Sequence, residues 1–341
     1  MTRSFSRLLV TGGAGFIGSN FVRLLRTIRP STEIIVLDKL TYAGNLVNLA
    51  EFEDAEGYQF VHGDICDHDL VDKLVGEVDG IVNFAAETHV DRSLLEPFSF
   101  VNSDVLGTAI LSDAACRHGT AAMLHVSTDE VYGDVTEGRS AEDDALRPRS
   151  PYSASKAGGE HIAHSFAISH GLPLLITRGA NTYGPYQYPE KVVPVFVTNA
   201  LDDLQLPLYA DGSAVRDYVH VDDHCRAIDL VLHEGTIGSA YNIGTETETS
   251  GKELAEMVLS AFDKPCSLIQ YVADRKGHDY RYALDTSRLR TELGWRPTMT
   301  LADGVAQTVD WYLSHEDWWR PLKSGEYWEY YRQNYQPRVP A

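Results

Sequence analysis

The sequence predicts an α/β fold, a doubly wound parallel sheet followed by a smaller C-terminal α/β lobe. Three observations carry this. Short apolar runs recur between helical patterns up to about residue 180, the alternation expected when helices cover both faces of a parallel sheet. The first run, Leu8-Leu9-Val10-Thr11, passes into Gly12-Gly13-Ala14-Gly15-Phe16-Ile17-Gly18 and then into the helical spacing of Phe21, Leu24 and Leu25. Beyond Pro185 the strict alternation stops, as a second lobe over the open edge of the sheet requires.

The glycines of the first turn permit a tight bend, close approach of a pyrophosphate to backbone N–H groups, and tight packing of helix on strand. Ile34-Ile-Val-Leu37 is the second strand and ends in Asp38, twenty residues beyond Gly18. A carboxylate there accepts the adenosine ribose hydroxyls and repels a 2′-phosphate. The expected domain is therefore of the Rossmann type and its cofactor NAD rather than NADP. The third strand, Tyr58-Gln-Phe-Val61, leads to Gly63-Asp64-Ile65, where Asp64 either hydrogen-bonds the adenine amine or sits in a solvated turn. Gly80 to Ala86 has the continuous apolar character of a strand buried on both faces, and small Ala85 and Ala86 let a cofactor pass closely. The stretch from Glu87 to Ser93 is too polar for core, and its His89 faces either a substrate or solvent.

Val101, Val105, Ile110 and Leu111 suit a helix over 99–118. Met123-Leu-His-Val126 is the next strand, an acidic loop covers 134–151, a helix covers 152–170, and Leu174-Leu-Ile-Thr177 is a further strand. The expected division is a dinucleotide-binding domain of residues 1–180 with a return segment at about 216–245, and a substrate lobe of 181–215 and 246–341. In the lobe, Tyr218-Val-His-Val221 suggests a return to the first domain, with helices at 222–234 and 250–262. Arg216, Arg275, Lys276 and Arg281 stand out in so acidic a chain: they form a phosphate-binding cluster, since forked guanidinium groups suit phosphate oxygens, or else a solvated face. The aromatic tail from Trp311 to Tyr331 either packs on the lobe or a partner subunit, or makes a stacking lip for a ligand.

The chemistry concentrates in two stretches. Ser127-Thr128-Asp129-Glu130 sits at a strand's C-terminal end, where open α/β sheets bind ligands. Tyr152 and Lys156 are four apart, one helical turn on the same face. An ammonium favours phenolate, so the Tyr can take a hydroxyl proton while hydride leaves the carbinol carbon. The acid pair supplies a further acid and base, which simple alcohol oxidation does not need.

Composition sets bounds. The 341 residues are 43% hydrophobic, enough for one large domain or two ordinary ones. A net charge of −20 disfavours nucleic acid. No apolar run approaches the ~20 residues of a membrane helix and no signal peptide opens the chain, so a cytoplasmic location is expected. Cys66, Cys116, Cys225 and Cys266 are scattered as free thiols, and the His, including the His161–His164 pair, form no metal set.

The motifs together resemble the extended short-chain dehydrogenase/reductase family, most closely its branch of sugar-nucleotide dehydratases acting on dTDP-glucose. The marks are TGGAGFIGSN at 11–20, LDKLTYAGN at 37–45, HVDRS at 89–93, VSTDEVYGD at 126–134, YSASK at 152–156, NTYGPYQYPEK at 181–191, RDYVHVDDHCRA at 216–227 and DRKGHDYRYALD at 274–285. The Thr-Asp-Glu triplet separates this branch from epimerases, which lack the acid pair, and from Thr-Ser-Glu enzymes. The resemblance implies that Tyr152, supported by Lys156 and Thr128, takes the 4-hydroxyl proton; Glu130 then removes H5 while Asp129 protonates the departing 6-hydroxyl. NAD is recycled and stays tightly bound. It further implies cofactor contacts from Lys39, Leu40, Thr41, Thr88 and Asn181, and substrate contacts from His89, Asn181, Glu190, Lys191, Arg216, Asn242, Arg275 and His278. A homodimer paired through the 99–118 and 152–170 helices is also implied. Thr88, Ala180-Asn181-Thr182 and Ala210 depart from the family pattern and bear on sugar or nucleotide selectivity; UDP-glucose or UDP-N-acetylglucosamine dehydration, or 4-epimerisation, are the neighbouring activities.

Overall fold

The computed structural model describes residues 2–274 and 278–335. Its strands in chain order are β1 (Arg7–Thr11), β2 (Glu33–Asp38), β3 (Tyr58–His62), β4 (Gly80–Asn83), β5 (Ala122–Thr128), β6 (Leu174–Gly179), β7 (Asn181–Tyr183), β8 (Leu206–Tyr209), β9 (Val215–His220), β10 (Ala240–Ile243), β11 (Glu248–Ser250) and β12 (Ile269–Val272). Seven of them form one sheet in the order β10-β6-β5-β4-β1-β2-β3, every pair parallel. The order reverses between β1 and β4. A crevice opens at that point, beyond the carboxyl ends of the strands.

The strands are apolar on both faces because both faces are covered, and the two-residue period divides their side chains between two cores. Leu8, Val10, Ile34, Val36, Val82 and Leu124 pack with Phe21, Val22 and Leu25 of the Phe16–Ile28 helix and with Ile228 and Val231 of the Val221–Glu234 helix. Leu9, Ile35, Leu37, Ile81 and Met123 pack on the other side with Val71, Leu74, Leu111 and Ala114. A third core lies outside the sheet. It gathers Phe196, Leu208, Leu254, Val258, Val305, Tyr312 and Trp319 around β8, β12 and the flanking helices.

Three elements differ from expectation. β4 stops at Asn83, because the chain turns there to cross the glycine-rich loop: Phe84 N–H donates to Thr11 O at 3.0 Å. The 99–118 helix is interrupted by a wide π-type turn over Val101–Gly107, followed by a regular helix, Thr108–His118. β9 does not return to the main sheet. It pairs with β7 and β11 instead, and the chain re-enters the first core through the Val221–Glu234 helix and β10. The Ser287–Leu293 helix also sends Leu289 into that core. The tail packs on the third core, with Trp319 and Tyr327 buried. Among the described residues, no helix is long and apolar enough to cross a membrane.

Candidate active site

Two adjoining clefts open at the carboxyl ends of β1, β4, β5 and β6. The first runs over the glycine-rich turn. Gly12 sits at φ +67°, and a Cβ on it would stand 2.6 Å from Ala85 N, so the turn can press against the chain leaving β4 only without a side chain. The Phe16–Ile28 helix starts at Gly15 with no side chain capping its first N–H groups, which leaves an anion-binding end at the groove. Gly12, Gly15, Phe16, Ile17, Gly18, Asp38, Lys39, Thr41, Asp64, Ile65, Ala85, Ala86, Thr88, Tyr152 and Lys156 all line this groove. That donor set fits a dinucleotide.

Asp38 is buried, and burial pushes its carboxyl up against the pull of two N–H donors, Leu40 at 2.8 Å and Ala14 at 2.9 Å. Leu40 takes part through that N–H alone: its backbone is left-handed and its side chain packs on the core rather than the groove. Asp64 is ion-paired with Lys39 at 2.7 Å and accepts Cys66 N–H at 2.9 Å. Asn181 lines the second cleft and not the first.

Glu190 and Lys191 border both clefts. Glu190 is buried; it accepts the Tyr42 hydroxyl at 2.7 Å and Arg92 Nε at 3.1 Å, while the Arg92 guanidinium lies 3.5 Å over the Tyr42 ring. Lys191 Nζ donates to Thr88 Oγ1 at 3.0 Å. Residues after β7 are thereby tied across the mouth of the groove to residues after β2 and β4.

The second cleft holds Thr128, Asp129, Glu130, Tyr152, His89, Arg216 and His278. β5 delivers Thr128, which accepts Glu130 N–H and so starts the short turn carrying both acids. Ser150 and Ser153 cap each other's backbone at the start of the Pro151–His170 helix, with Pro151 in its first turn, which fixes Tyr152 at the site. Asp129 is 3% exposed and its Oδ2 has no hydrogen-bond partner. Burial, then the charge of Glu130, push its carboxyl well above the usual range. A carboxyl held this way is neutral at neutral pH and has a proton to give.

Burial likewise holds the Tyr152 phenol well above its ordinary value, followed by the charges of Glu130 and Asp104; Thr128 hydrogen-bonds the phenol and opposes this. Lys156 Nζ donates to Val126 O at 2.8 Å, and burial lowers its pKa against the charges of Asp104 and Glu160. Lys156 Nζ is thus held on backbone, and Thr128 is the phenol's hydrogen-bond partner.

Other expected residues lie elsewhere. Asn242 is fully buried outside both clefts, donating to Ser140 O and Asp285 O and accepting the Tyr132 hydroxyl, so its amide is committed to packing. Arg281 grips Glu248 with two bonds, at 2.6 and 2.7 Å, and spends Nη1 on Val135 O and Gly138 O, which removes it from any phosphate cluster. Arg216 reaches the cleft while holding the carbonyls of Val215, Asp279 and Tyr280. Arg275 and Lys276 lie outside the described residues. His89, buried with φ +84°, lines the cleft rather than an exposed loop. Ser127, at the expected strand end, borders both clefts; of the residues not foreseen, Gln187 borders both and His224 and Tyr335 the second. Tyr335 carries the tail to the cleft edge, its ring 5.6 Å from that of Tyr209.

Comparison with known proteins agrees with this geometry. The family model described as GDP-mannose 4,6 dehydratase matches residues 9–308. The dTDP-glucose 4,6-dehydratase of Streptomyces niveus is 51% identical over 322 residues, 93% of this chain and 96% of that protein. That of Streptomyces antibioticus is 52% identical over 321 residues, 93% and 95% of the two chains. The crystal structure of DesIV, a dTDP-glucose 4,6-dehydratase from Streptomyces venezuelae with NAD and dTDP bound, superposes with a TM-score of 0.91 at 50% identity, covering 93% of this chain and all of that one. The chain belongs to the family of nucleotide-sugar 4,6-dehydratases that the GDP-mannose 4,6 dehydratase model describes.

Proposed function

We propose that the protein converts dTDP-glucose to dTDP-4-keto-6-deoxyglucose and water. The observation that carries the reading is the placement of Thr128, Asp129, Glu130 and Tyr152 on one cleft wall where it meets the dinucleotide groove. Relatives of this name at about 50% identity over nearly the whole chain support it. The glycine-rich turn and the Phe16–Ile28 N-terminus would hold the pyrophosphate of NAD, Asp38 the adenosine ribose. When bound there, NAD would supply the hydride acceptor for oxidation at C4 and the hydride donor for reduction at C6. Tyr152 removes the 4-hydroxyl proton with Thr128 hydrogen-bonded to its oxygen. The resulting ketone acidifies H5, which Glu130 takes, and C5 is reprotonated when hydride returns at C6. Asp129, kept neutral by burial beside Glu130, protonates the leaving 6-hydroxyl. Arg216 and His278 would meet the nucleotide diphosphate at the far end of the cleft.

On this reading residues 1–180, with the return segment of about 216–245, make up the dinucleotide-binding domain, and 181–215 and 246–341 the substrate-binding one. A cytoplasmic homodimer completes the proposal. Exposed Leu95, Phe98, Val101 and Leu106, with Ile168 of the Pro151–His170 helix, supply apolar surface for pairing, and all four cysteines are free. Sedimentation giving a monomer at micromolar concentration would remove the dimer.

The test is incubation with dTDP-glucose in deuterated water without added NAD, followed by mass and proton spectra of the product. Loss of one water, deuterium at C5 and the original H4 on C6 are expected. Conversion of UDP-sugars with dTDP-glucose untouched would reassign the substrate; a 4-epimer without loss of water would reassign the reaction.

A further inference from the structure

Asp104 is an ionisable group that this reaction scheme does not use. It sits in the π-type turn Val101–Gly107 and is 1% exposed. The extra width of that turn carries it toward the helix bearing Tyr152 and Lys156. Gly159 of that helix makes the approach feasible, since a Cβ there would stand 2.5 Å from Asp104 O. Ser155 Oγ donates to Asp104 Oδ2 at 2.5 Å and lies 2.8 Å from Tyr152 O, while the backbone N–H of Glu87 faces the same carboxyl.

The groups around it come from three elements. The Pro151–His170 helix contributes Tyr152, Lys156 and Glu160; the chain after β4 contributes Glu87; β5 contributes His125, and Glu130 and Asp129 bear on Tyr152 from beyond its end. Lys156 is the cation in Asp104's field, and Asp104 is the foremost charge opposing the loss of the Lys156 proton. Asp104 also acts on the Tyr152 phenol.

We propose that Asp104 is a positioning residue for the reaction, a buried counter-charge that keeps Lys156 protonated and sets the pH range in which Tyr152 and Lys156 work together. Burial pushes its own carboxyl up to about 6, against the pull of Lys156 and Ser155. The counter-charge is thus present at neutral pH and lost in acid. A negative charge raises the pKa of every group in its field, so its removal lowers both the phenol and the ammonium.

The inference rests on the Tyr152 role proposed above and on the supporting role that the family resemblance implies for Lys156, and its test separates the proposed function from the inference. On the holoenzyme, Asp104→Asn keeps the shape and a partner for Ser155 but removes the charge. Both limbs of the kcat–pH profile move to lower pH by about one unit, the lower end of the effect of an adjacent charge, and Asp104→Glu moves them back. Ser155→Ala, which removes the hydroxyl favouring the ionised carboxyl, moves them the same way by less and serves if Asp104→Asn does not fold. Independently of any substrate, the phenolate absorbance of Tyr152, taken as the difference from Tyr152→Phe, titrates at lower pH in Asp104→Asn. Limbs and phenolate titration at wild-type positions, with only the height of the profile reduced, would make Asp104 a structural brace and overturn the proposal. Inactivity of the wild type toward dTDP-glucose touches the proposed substrate instead, because the phenolate titration still reads Asp104.

Discussion

Asp129→Asn separates catalysis from stability at one buried position. The carboxyl has one oxygen near Thr128 Oγ1 at 3.2 Å and one without a partner, in a site closed to solvent. Its folded pKa is raised by burial and by Glu130, so the folded chain prefers the neutral form. Stability is then lost as pH rises above the carboxyl's unfolded value, because the unfolded chain ionises freely and the folded one does not. The amide has nothing to ionise and escapes that loss. The variant should therefore melt higher than wild type at neutral pH, with the advantage shrinking toward pH 4. Catalysis moves the other way. Loss of a positioned general acid costs about 10²–10⁴-fold in kcat, roughly 3–5.5 kcal/mol of barrier. Oxidation at C4 precedes the step that needs Asp129, so reduced cofactor accumulates in a single turnover and product does not. The assays are nicotinamide absorbance in stopped flow and thermal melts across pH. Wild-type turnover, or a variant that melts lower and shows no absorbance burst, would refute the assignment.

Other perturbations test separate parts of the molecule. Arg178→Ala strands Glu160 in the interior, where the pair meets at 2.7 Å with both side chains nearly inaccessible; a loss of roughly 3–5 kcal/mol is expected in urea titration. Asp38→Ala releases the Ala14 and Leu40 N–H groups and removes the ribose acceptor, so NAD affinity falls about 10- to 100-fold while NADP affinity does not; equal losses for both would point to collapse of the turn. Lys323 is buried among Trp319, Tyr327 and Trp328, with its pKa lowered from 10.5 to about 8. The folded chain releases that proton first, so between about pH 8 and 10.5 wild type gains stability relative to Lys323→Met in chemical denaturation.

Much of the dinucleotide-binding half was legible because burial on both faces writes itself into composition: β1, β2 and β5 are runs of aliphatic residues that a helix pattern does not fit. The Gly12–Gly18 turn and Asp38 are local, and a spacing rule finds local things. The sheet partners of β9 were not legible for the converse reason, since an apolar run reveals that a strand is buried but not which neighbour pairs with it. Asn242 and Arg281 look like ligand groups until their partners, Tyr132, Ser140 and Asp285 for Asn242 and Val135, Gly138 and Glu248 for Arg281, claim their hydrogen bonds. Asp104 was invisible because a π-type turn has the same residues as a helix; only the register of its backbone differs.

The ties from Glu190 to Tyr42 and Arg92, and from Lys191 to Thr88, have a consequence for exchange. Residues from distant parts of the chain that line the groove are tied to one another by these bonds, so on the proposed function a dinucleotide would exchange only when several of them open together. Its residence time is then set by the frequency of that opening rather than by its contacts with the turn beneath it. A molecule built this way is loaded seldom and turns over many sugars per loading.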